Sequence, residues 1–363
     1  MNDSKVVLGL FLDFSKAFDT INHKILLDKL KWINFEDSVV GWFENYLFDR
    51  KQVTIIENTS SSFSNINCGV PQGSILGPTL FLIYINDLKF KTKKLDPILY
   101  ADDINLFYES KNLNDDIDVI NGELKKVQMW CKENKLTVNL SKTNFLIIKN
   151  YQNTFKLTKS IKFLEEELVE TDTIKFLGVY IDRNMTWKPH INHLNKQLRS
   201  LTSLIVKCAK FLPVHVLKLV YDSFINSKIS YCLESWGSAA SSHLNKILVC
   251  QKRLLRIICQ QPPLSPSQPL FAQMSILPVD KLYQLKLLLI AHKTYCEAES
   301  NLQSNYKTRF SKTGMKLPLS TTAASHKKLQ FQCAKFWNNL SERYKNMQHN
   351  EFKKNVKKYL LTQ

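Results

Sequence analysis

The sequence is poor in the residues that interrupt a chain. Of 363 residues only 9 are Gly and 11 are Pro, which excludes a collagen-like or Pro/Gly low-complexity protein. No run approaches the roughly 18 to 20 uncharged apolar residues of a membrane helix, so no membrane partner is expected. Near the N-terminus Val6 to Leu12 could form the apolar core of a secretion signal, but Asp13 ends it and no small-residue cleavage site follows. An intracellular location, in the nucleus and/or the cytoplasm, is expected rather than secretion. The 8 cysteines never fall two to four residues apart, as a zinc knuckle or ribbon requires, and read as reduced core thiols.

Acid is the other shortage, and it is uneven. Residues 1–193 hold 24 Lys+Arg and 25 Asp+Glu, a net charge of −1, whereas residues 194–363 hold 26 and 7, a net charge of +19. A positive field of that size favours a polyanion, since each neutralised phosphate releases counterions. A merely soluble basic surface is the plainer reading.

Apolar material is plentiful. Hydrophobic residues make up 44% of the chain, with 21 Phe, 13 Tyr and 6 Trp, which excludes a fully disordered chain and suffices for two or three domains. Val6 to Phe14 reads as a buried strand ending in Asp13. Helical spacing follows at Leu26, Leu27, Leu30 and Ile33, then at Val39, Phe43, Tyr46 and Leu47. Lys51 to Glu57 and Phe63 to Cys68 predict two strands around a turn at Ser60 to Ser62. After the glycine-rich stretch from Gly69 to Gly77, Pro78 is placed to open a helix reaching about Leu88.

Ile98 to Tyr108 predicts a hairpin bent at Ala101-Asp102-Asp103. Ile117, Ile120, Leu124, Val127 and Trp130 mark one face of an amphipathic helix. Asn144 to Lys149 and Ile174 to Ile181 are strand-like. From about residue 188 the pattern turns helical, with Leu194, Leu198, Leu201, Ile205 and Cys208 as an apolar seam. Lys196, Arg199, Lys207 and Lys210 fall within about an 80° arc on the other side, and no acid lies between His190 and Pro213. Pro262 to Pro269 reads as a linker.

Two features put acids where a core would not. Asp13 ends an apolar strand, and Asp102 and Asp103 share a bend flanked by apolar residues. At about 4 Å and an effective dielectric near 20, two like charges repel by roughly 4 kcal/mol, so a raised pKa, a basic partner or a cation must compensate. A solvated turn would also accommodate the pair. If the two strands lie side by side, three hard-oxygen donors meet, a set suited to Mg²⁺ and to phosphoryl transfer.

Phe11-Leu-Asp-Phe-Ser-Lys-Ala-Phe-Asp-Thr-Ile21, Gly69-Val-Pro-Gln-Gly-Ser74 and Tyr100-Ala-Asp-Asp103, in that order, resemble the three central motifs of reverse transcriptases. Trp130-Cys with Leu136-Thr-Val-Asn139 and Lys142-Thr143, then Phe176-Leu-Gly-Val179, look like that family's next two. Tyr231, Trp236-Gly237, Gln251-Lys-Arg-Leu254 and Phe336-Trp-Asn-Asn-Leu340 resemble the C-terminal region of non-LTR, LINE-like, jockey-type retrotransposon polymerases.

The resemblance implies an α+β fold: a palm of antiparallel or mixed sheet packed on helices (1–187), a helical thumb (188–261) and a basic helical C-terminal region (262–363). It implies RNA-directed DNA synthesis, using Mg²⁺ (Mn²⁺ being possible) and dNTPs to extend a DNA primer on an RNA template. Asp13, Asp102 and Asp103 would be the metal-binding, catalytic triad, with Asp13 and Asp102 foremost as direct ligands, and Lys142 would protonate or neutralise the leaving pyrophosphate. Phe18 would crowd the sugar 2′ position, Gln72 and Gly73 would meet the incoming nucleotide, and Tyr100 would lie beside the primer terminus. Gly178 would belong to a primer-gripping hairpin, and Lys196, Arg199, Lys207 and Lys210 would follow the backbone of an RNA–DNA hybrid. Each also has a plainer reading: a core phenylalanine, an ordinary glycine turn, a packed tyrosine, solvated cations. Asp19 carries no assigned role. Met1 lies twelve residues before Asp13, so fingers and endonuclease are expected to be missing. A catalytically inactive remnant that only binds nucleic acid is the alternative.

Overall fold

The structure is a computed structural model and describes residues 5–150, 153–301, 314–318 and 323–363. Its contacts gather into two units, divided between Asp172 and Thr173. The division precedes residue 187, so the hairpin at 173–182 belongs with the helical unit.

The first unit is built on a five-stranded sheet in the order Val169–Glu170, Asn144–Ile148, Val6–Leu12, Asp103–Ser110, Asp96–Tyr100. Every pairing is antiparallel except the edge pairing of Val169–Glu170 with Asn144–Ile148. Val6–Leu12 is central and apolar throughout because it has a strand on each side and is covered on both faces. Against the sheet lies the helix Leu113–Glu133, which buries the predicted Ile117, Ile120, Leu124, Val127 and Trp130. It also buries Glu123, whose carboxylate accepts from the amides of Lys93 and Lys94 and from Lys126. Burial alone would push that carboxyl up; these bonds outweigh it and hold it below the usual range.

Helices His23–Trp32, Asp37–Leu47 and Leu76–Ile85 complete the unit. Pro78 is the third residue of its helix rather than the first. The region between 51 and 65 holds two short ladders, Lys51–Gln52 with Ser64–Asn65 and Ile55–Ile56 with Thr59–Ser60. The inner turn therefore falls at Glu57-Asn58, with Glu57 at φ 54°, and not at Ser60 to Ser62.

The second unit opens with the hairpin Thr173–Phe176/Val179–Asp182. The helix Lys188–Cys208 packs on Ser241–Ile258, and the helix Val279–Asn301 packs on Leu329–Asn338 and His349–Thr362. Trp236, Trp337, Tyr221 and Phe352 anchor the core. Gln251, fully buried, ties three segments together: it donates to the Tyr221 hydroxyl (3.0 Å) and the Leu277 carbonyl (3.2 Å), and accepts from the Val279 amide (2.9 Å). The Pro-rich stretch 262–269 is held by Arg256, whose Nε donates to the Ser265 carbonyl at 2.8 Å.

His190 is buried beside Trp236, and among the described residues its Nε2 has no hydrogen-bond partner. Burial, with a smaller contribution from His193, pushes its pKa down to about 4. A base depressed in the folded state contributes stability while neutral, and that stability is lost as pH falls below its ordinary pKa of 6.5. Unfolding by urea should therefore become easier between pH 6.5 and about 4, by up to ~3 kcal/mol. His190→Leu should flatten that part of the profile, and an unchanged profile would refute the assignment.

Candidate active site and nucleic-acid interface

Strand register places the acids. Leu12 pairs with Ile104 and Tyr100 with Asp103, so Asp13 and Asp103, one step beyond the Leu12–Ile104 pair, stand at adjoining strand ends. Neighbouring strands are about 4.8 Å apart. Asp102 occupies the bend with Ala101, which adopts φ 49°, a conformation that costs an L-residue about 1–3 kcal/mol. Asp13 is half-buried, and Asp102 and Asp103 are exposed. Partial desolvation, then the charges of Asp102 and Asp13, push the Asp103 carboxyl above its ordinary value. The repulsion anticipated from the sequence is thus felt at Asp103.

The segment 136–143 pins Asp13 in place. Ser15 donates to the Thr137 carbonyl (2.9 Å), Asn139 donates to the Asp13 carbonyl (2.7 Å), and Phe14 bridges to Val138. The same turn brings Lys142 Nζ to 3.6 Å from Asp13 Oδ2. Both side chains are substantially exposed, so the pair contributes at most about 1 kcal/mol to stability. Its consequence is placement: a cation beside the acids.

Hard carboxylate oxygens crowded by their own charge suit a divalent ion. Among the described residues no three Asp, Glu, His or Cys side chains are already gathered to hold one. Mg²⁺ is normally held by one or two carboxylates with phosphate and water completing the shell, so the donor set fits an ion shared with substrate.

The glycine-rich loop packs on the turn that follows Asp13. Gly69 donates to the Ile21 carbonyl (2.7 Å) and Val70 to the Phe18 carbonyl (2.9 Å), while His23 Nε2 lies 2.7 Å from the Gly69 carbonyl oxygen. Gly69 has φ +84°, and a Cβ there would come within 2.8 Å of the Asp19 backbone. The close approach that requires glycine at 69 is therefore made to this chain's own turn. Gly73, at φ +80°, has nothing within 4 Å of a Cβ position and borders open space. Gln72 is exposed, and its Nε2 donates to Asp19 Oδ1 at 2.9 Å, a partner that sequence reasoning missed.

Phe18 is half-buried with its ring 4.8 Å from that of Phe81, so it packs on the core of the first unit. Truncation to Ala should cost about 3 kcal/mol of stability, read by urea denaturation; a loss below about 1 kcal/mol would show the packing to be incidental. Tyr100 is 61% exposed at the end of its strand, not a packed strand aromatic.

In the second unit, Leu177 (φ 45°) and Gly178 (φ 81°) form the two-residue turn of the 173–182 hairpin, as a tight hairpin with positive φ at both positions requires. Tyr231 lies against Gly178 and donates to the Leu177 carbonyl at 2.6 Å. Lys196, Arg199 and Lys207 are exposed on the helix Lys188–Cys208, opposite the buried Ile191, Leu194, Leu198 and Ile205. Lys210 is exposed but lies past the helix end. Leu212 caps back to the Cys208 carbonyl there, and Pro213 follows. Leu201 and Cys208 are partly buried against the same core, and Thr202 joins the buried seam with its hydroxyl donating to the Leu198 carbonyl. Among the described residues none of the four cations has a carboxylate within ion-pair distance.

The first unit is thus an acid-tipped sheet with a glycine loop folded against its first acidic turn. Residues 1–181 match the family model described as reverse transcriptase (RNA-dependent DNA polymerase), and the chain belongs to that family, in its non-LTR retrotransposon branch. Reverse transcriptases use a divalent metal. In Drosophila melanogaster, a probable RNA-directed DNA polymerase from transposon BS is 29% identical over 272 residues, covering 72% of this chain and 30% of that relative. The RNA-directed DNA polymerase from mobile element jockey, from the same organism, is 27% identical, covering 72% of this chain and 29% of the relative. The chain thus spans about 30% of the length of these curated relatives. A solved apo telomerase from Candida Tropicalis is 12% identical, covering 82% of this chain and 51% of that one, with a TM-score of 0.39.

Proposed function

We propose that this chain carries the palm of an RNA-directed DNA polymerase, adding dNTPs to the 3′-OH of a DNA primer paired to an RNA template. The observation that carries the reading is the register Leu12↔Ile104, which sets Asp13 beside the Asp102–Asp103 bend. In this reading Asp13 and Asp102 hold divalent metal, Mg²⁺ in the cell with Mn²⁺ able to replace it, and Asp103 supports them. An ion held by Asp13 and Asp102, with Asp103 in support, would supply positive charge to offset that of the reacting phosphate and the primer oxygen.

The remaining work belongs to side chains. Lys142, held at Asp13, donates a proton or positive charge to the departing pyrophosphate. Phe18, packed against Phe81, crowds the position of a ribose 2′-OH and so favours dNTPs. Gln72, oriented by Asp19, and Gly73, open to approach, meet the incoming nucleotide, while Tyr100 borders the primer terminus. In the helical unit, Gly178 presents a narrow turn to the primer, and Lys196, Arg199, Lys207 and Lys210 take phosphates of the hybrid. The first unit then acts as palm, the hairpin at 173–182 with the helices to residue 261 as thumb, and 262–363 as a basic C-terminal region, in a protein working in the nucleus or cytoplasm. The test is extension of oligo(dT) on poly(rA) with Mg²⁺; absence of product from a folded chain that still binds the hybrid would reject the polymerase reading.

The net charge of +19 beyond residue 193 favours a second reading, a chain that binds nucleic acid without turnover. Neutralising Lys196, Arg199, Lys207 and Lys210 together should lower the salt dependence of hybrid binding under either reading. An unchanged slope would remove the stripe from the interface.

A further inference from the structure

Tyr231 and Trp236-Gly237 stand out in the sequence, yet none of the polymerase roles uses them. Tyr231 sits between two short helices, Ser227–Ser230 and Leu233–Trp236. The joint is made by Cys232 at φ 49°, a left-handed conformation that costs an L-residue about 1–3 kcal/mol. Trp236, fully buried, donates from its indole Nε1 to the Tyr231 carbonyl at 2.9 Å. Gly237 leaves room for the ring of Tyr283, which a Cβ there would approach to 2.3 Å. The backbone of Tyr231 is thereby fixed to the core, while the residue as a whole is 51% exposed.

Its side chain reaches the tip of the hairpin at 173–182. The hydroxyl donates to the Leu177 carbonyl at 2.6 Å, and the ring lies 3.4 Å from where a Cβ of Gly178 would stand. Carbonyls within a two-residue turn have no partner in the ladder, so this bond satisfies a group that the hairpin itself cannot. The base of the hairpin is held separately. Asp182, buried, accepts at Oδ1 from the Trp187 amide (2.8 Å), and at Oδ2 from the Thr186 amide (3.0 Å) and hydroxyl (2.9 Å). Tip and base are therefore both tied to the helices of the second unit.

We propose that Tyr231 is a positioning residue for primer binding: it holds the Leu177-Gly178 turn in one orientation, so that the turn meets the primer already ordered. The inference rests on the reading of Gly178 as part of a primer-gripping turn. A turn free to move would have to be ordered at each encounter and would bind the primer less tightly. The chemistry at the acids would be untouched. Tyr231 thus acts on primer affinity and not on dNTP use.

The test is Tyr231→Phe, which keeps the ring and removes the hydroxyl. Amide hydrogen exchange across 173–182 of the full chain, read by mass spectrometry, should run about fivefold faster, the worth of one ordinary hydrogen bond. An RNA–DNA hybrid should slow that exchange in the unaltered chain and slow it less in the variant. In extension of oligo(dT) on poly(rA), KM for the hybrid should rise about fivefold, with kcat and KM for dTTP unchanged. Tyr231→Leu, which also takes the ring away from Gly178, should raise the hybrid KM further. The urea midpoint should move little in either variant, because half of the residue is already in solvent. A merely structural role would lower the urea midpoint and kcat and leave the hybrid KM alone, and that result overturns the proposal. So does hairpin exchange unchanged by Tyr231→Phe, a hairpin that the hybrid fails to protect, or a rise in the dTTP KM in place of the hybrid KM. If the unaltered chain extends no primer, fluorescence anisotropy supplies the hybrid Kd instead. A Kd about fivefold weaker in Tyr231→Phe, with exchange as expected, would then leave the role of Tyr231 standing and remove the polymerase reading alone; an equal Kd overturns the proposal.

Discussion

Asp102→Ala should abolish primer extension on poly(rA)/oligo(dT), by at least about a thousandfold, while leaving the fold and hybrid affinity nearly intact. The side chain is exposed at a bend, so its removal opens no cavity. It removes charge that the structure shows acting on Asp103, and the Asp103 carboxyl should relax toward its ordinary value. A variant that folds, binds hybrid and still extends at more than about a tenth of the original rate would exclude Asp102 from the chemistry. Asp102→Asn should be similarly inactive, because the neutral amide keeps the shape but is a poor ligand for a hard cation.

The second large effect is expected at Gly69. A Cβ there would come within 2.8, 2.9 and 3.0 Å of the Asp19 oxygen, Cα and carbonyl carbon, all of them backbone, and the residue is at φ +84°. Neither obstacle yields to a side-chain rotation. Gly69→Ala should destabilise the first unit by about 3 kcal/mol or more, from overpacking together with a conformation that L-residues avoid. It should also pull the loop off the 17–19 turn, breaking the bond between Gln72 and Asp19 and weakening dNTP use beyond what stability explains. Gly73→Ala meets the conformational penalty without the clash and should cost less, about 1 to 2 kcal/mol. Equal losses at the two positions, measured by urea denaturation, would show that contact with the Asp19 backbone is not what demands glycine at 69.

How much of this could be read beforehand depended on burial. Val6–Leu12 declares itself because a central strand covered on both faces must be apolar at every position. The helix carrying Ile117 to Trp130 does so through its 3.6-residue period. The bend at Asp102–Asp103 follows from polar residues set between two apolar arms. In the short ladders at 51–65, by contrast, Ile55 and Ile56 are 64% and 70% exposed. No buried face fixes their register, and the sequence misplaces the turn.

Long-range polar contacts left no local mark at all. Asp19 and Gln72 are 53 positions apart, Tyr231 and Leu177 are 54 apart, and nothing in either neighbourhood announces the partner. The one available hint was that Asp19 and Gln72 both sit in motifs that the chemistry had not fully used. Glu123, an acid on the apolar face of its helix, could have been flagged as a buried group in need of donors, which Lys93, Lys94 and Lys126 supply.

Titration of Mn²⁺ into the chain bound to an RNA–DNA hybrid and a non-extendable dNTP complex, followed by loss of the free-ion EPR signal, tests the gathering of the acids most directly. The unaltered chain should bind Mn²⁺ with Mg²⁺ as competitor, and Asp13→Asn and Asp102→Asn should each abolish that binding. Equal binding by all three proteins would contradict the placement of metal between the two strand ends.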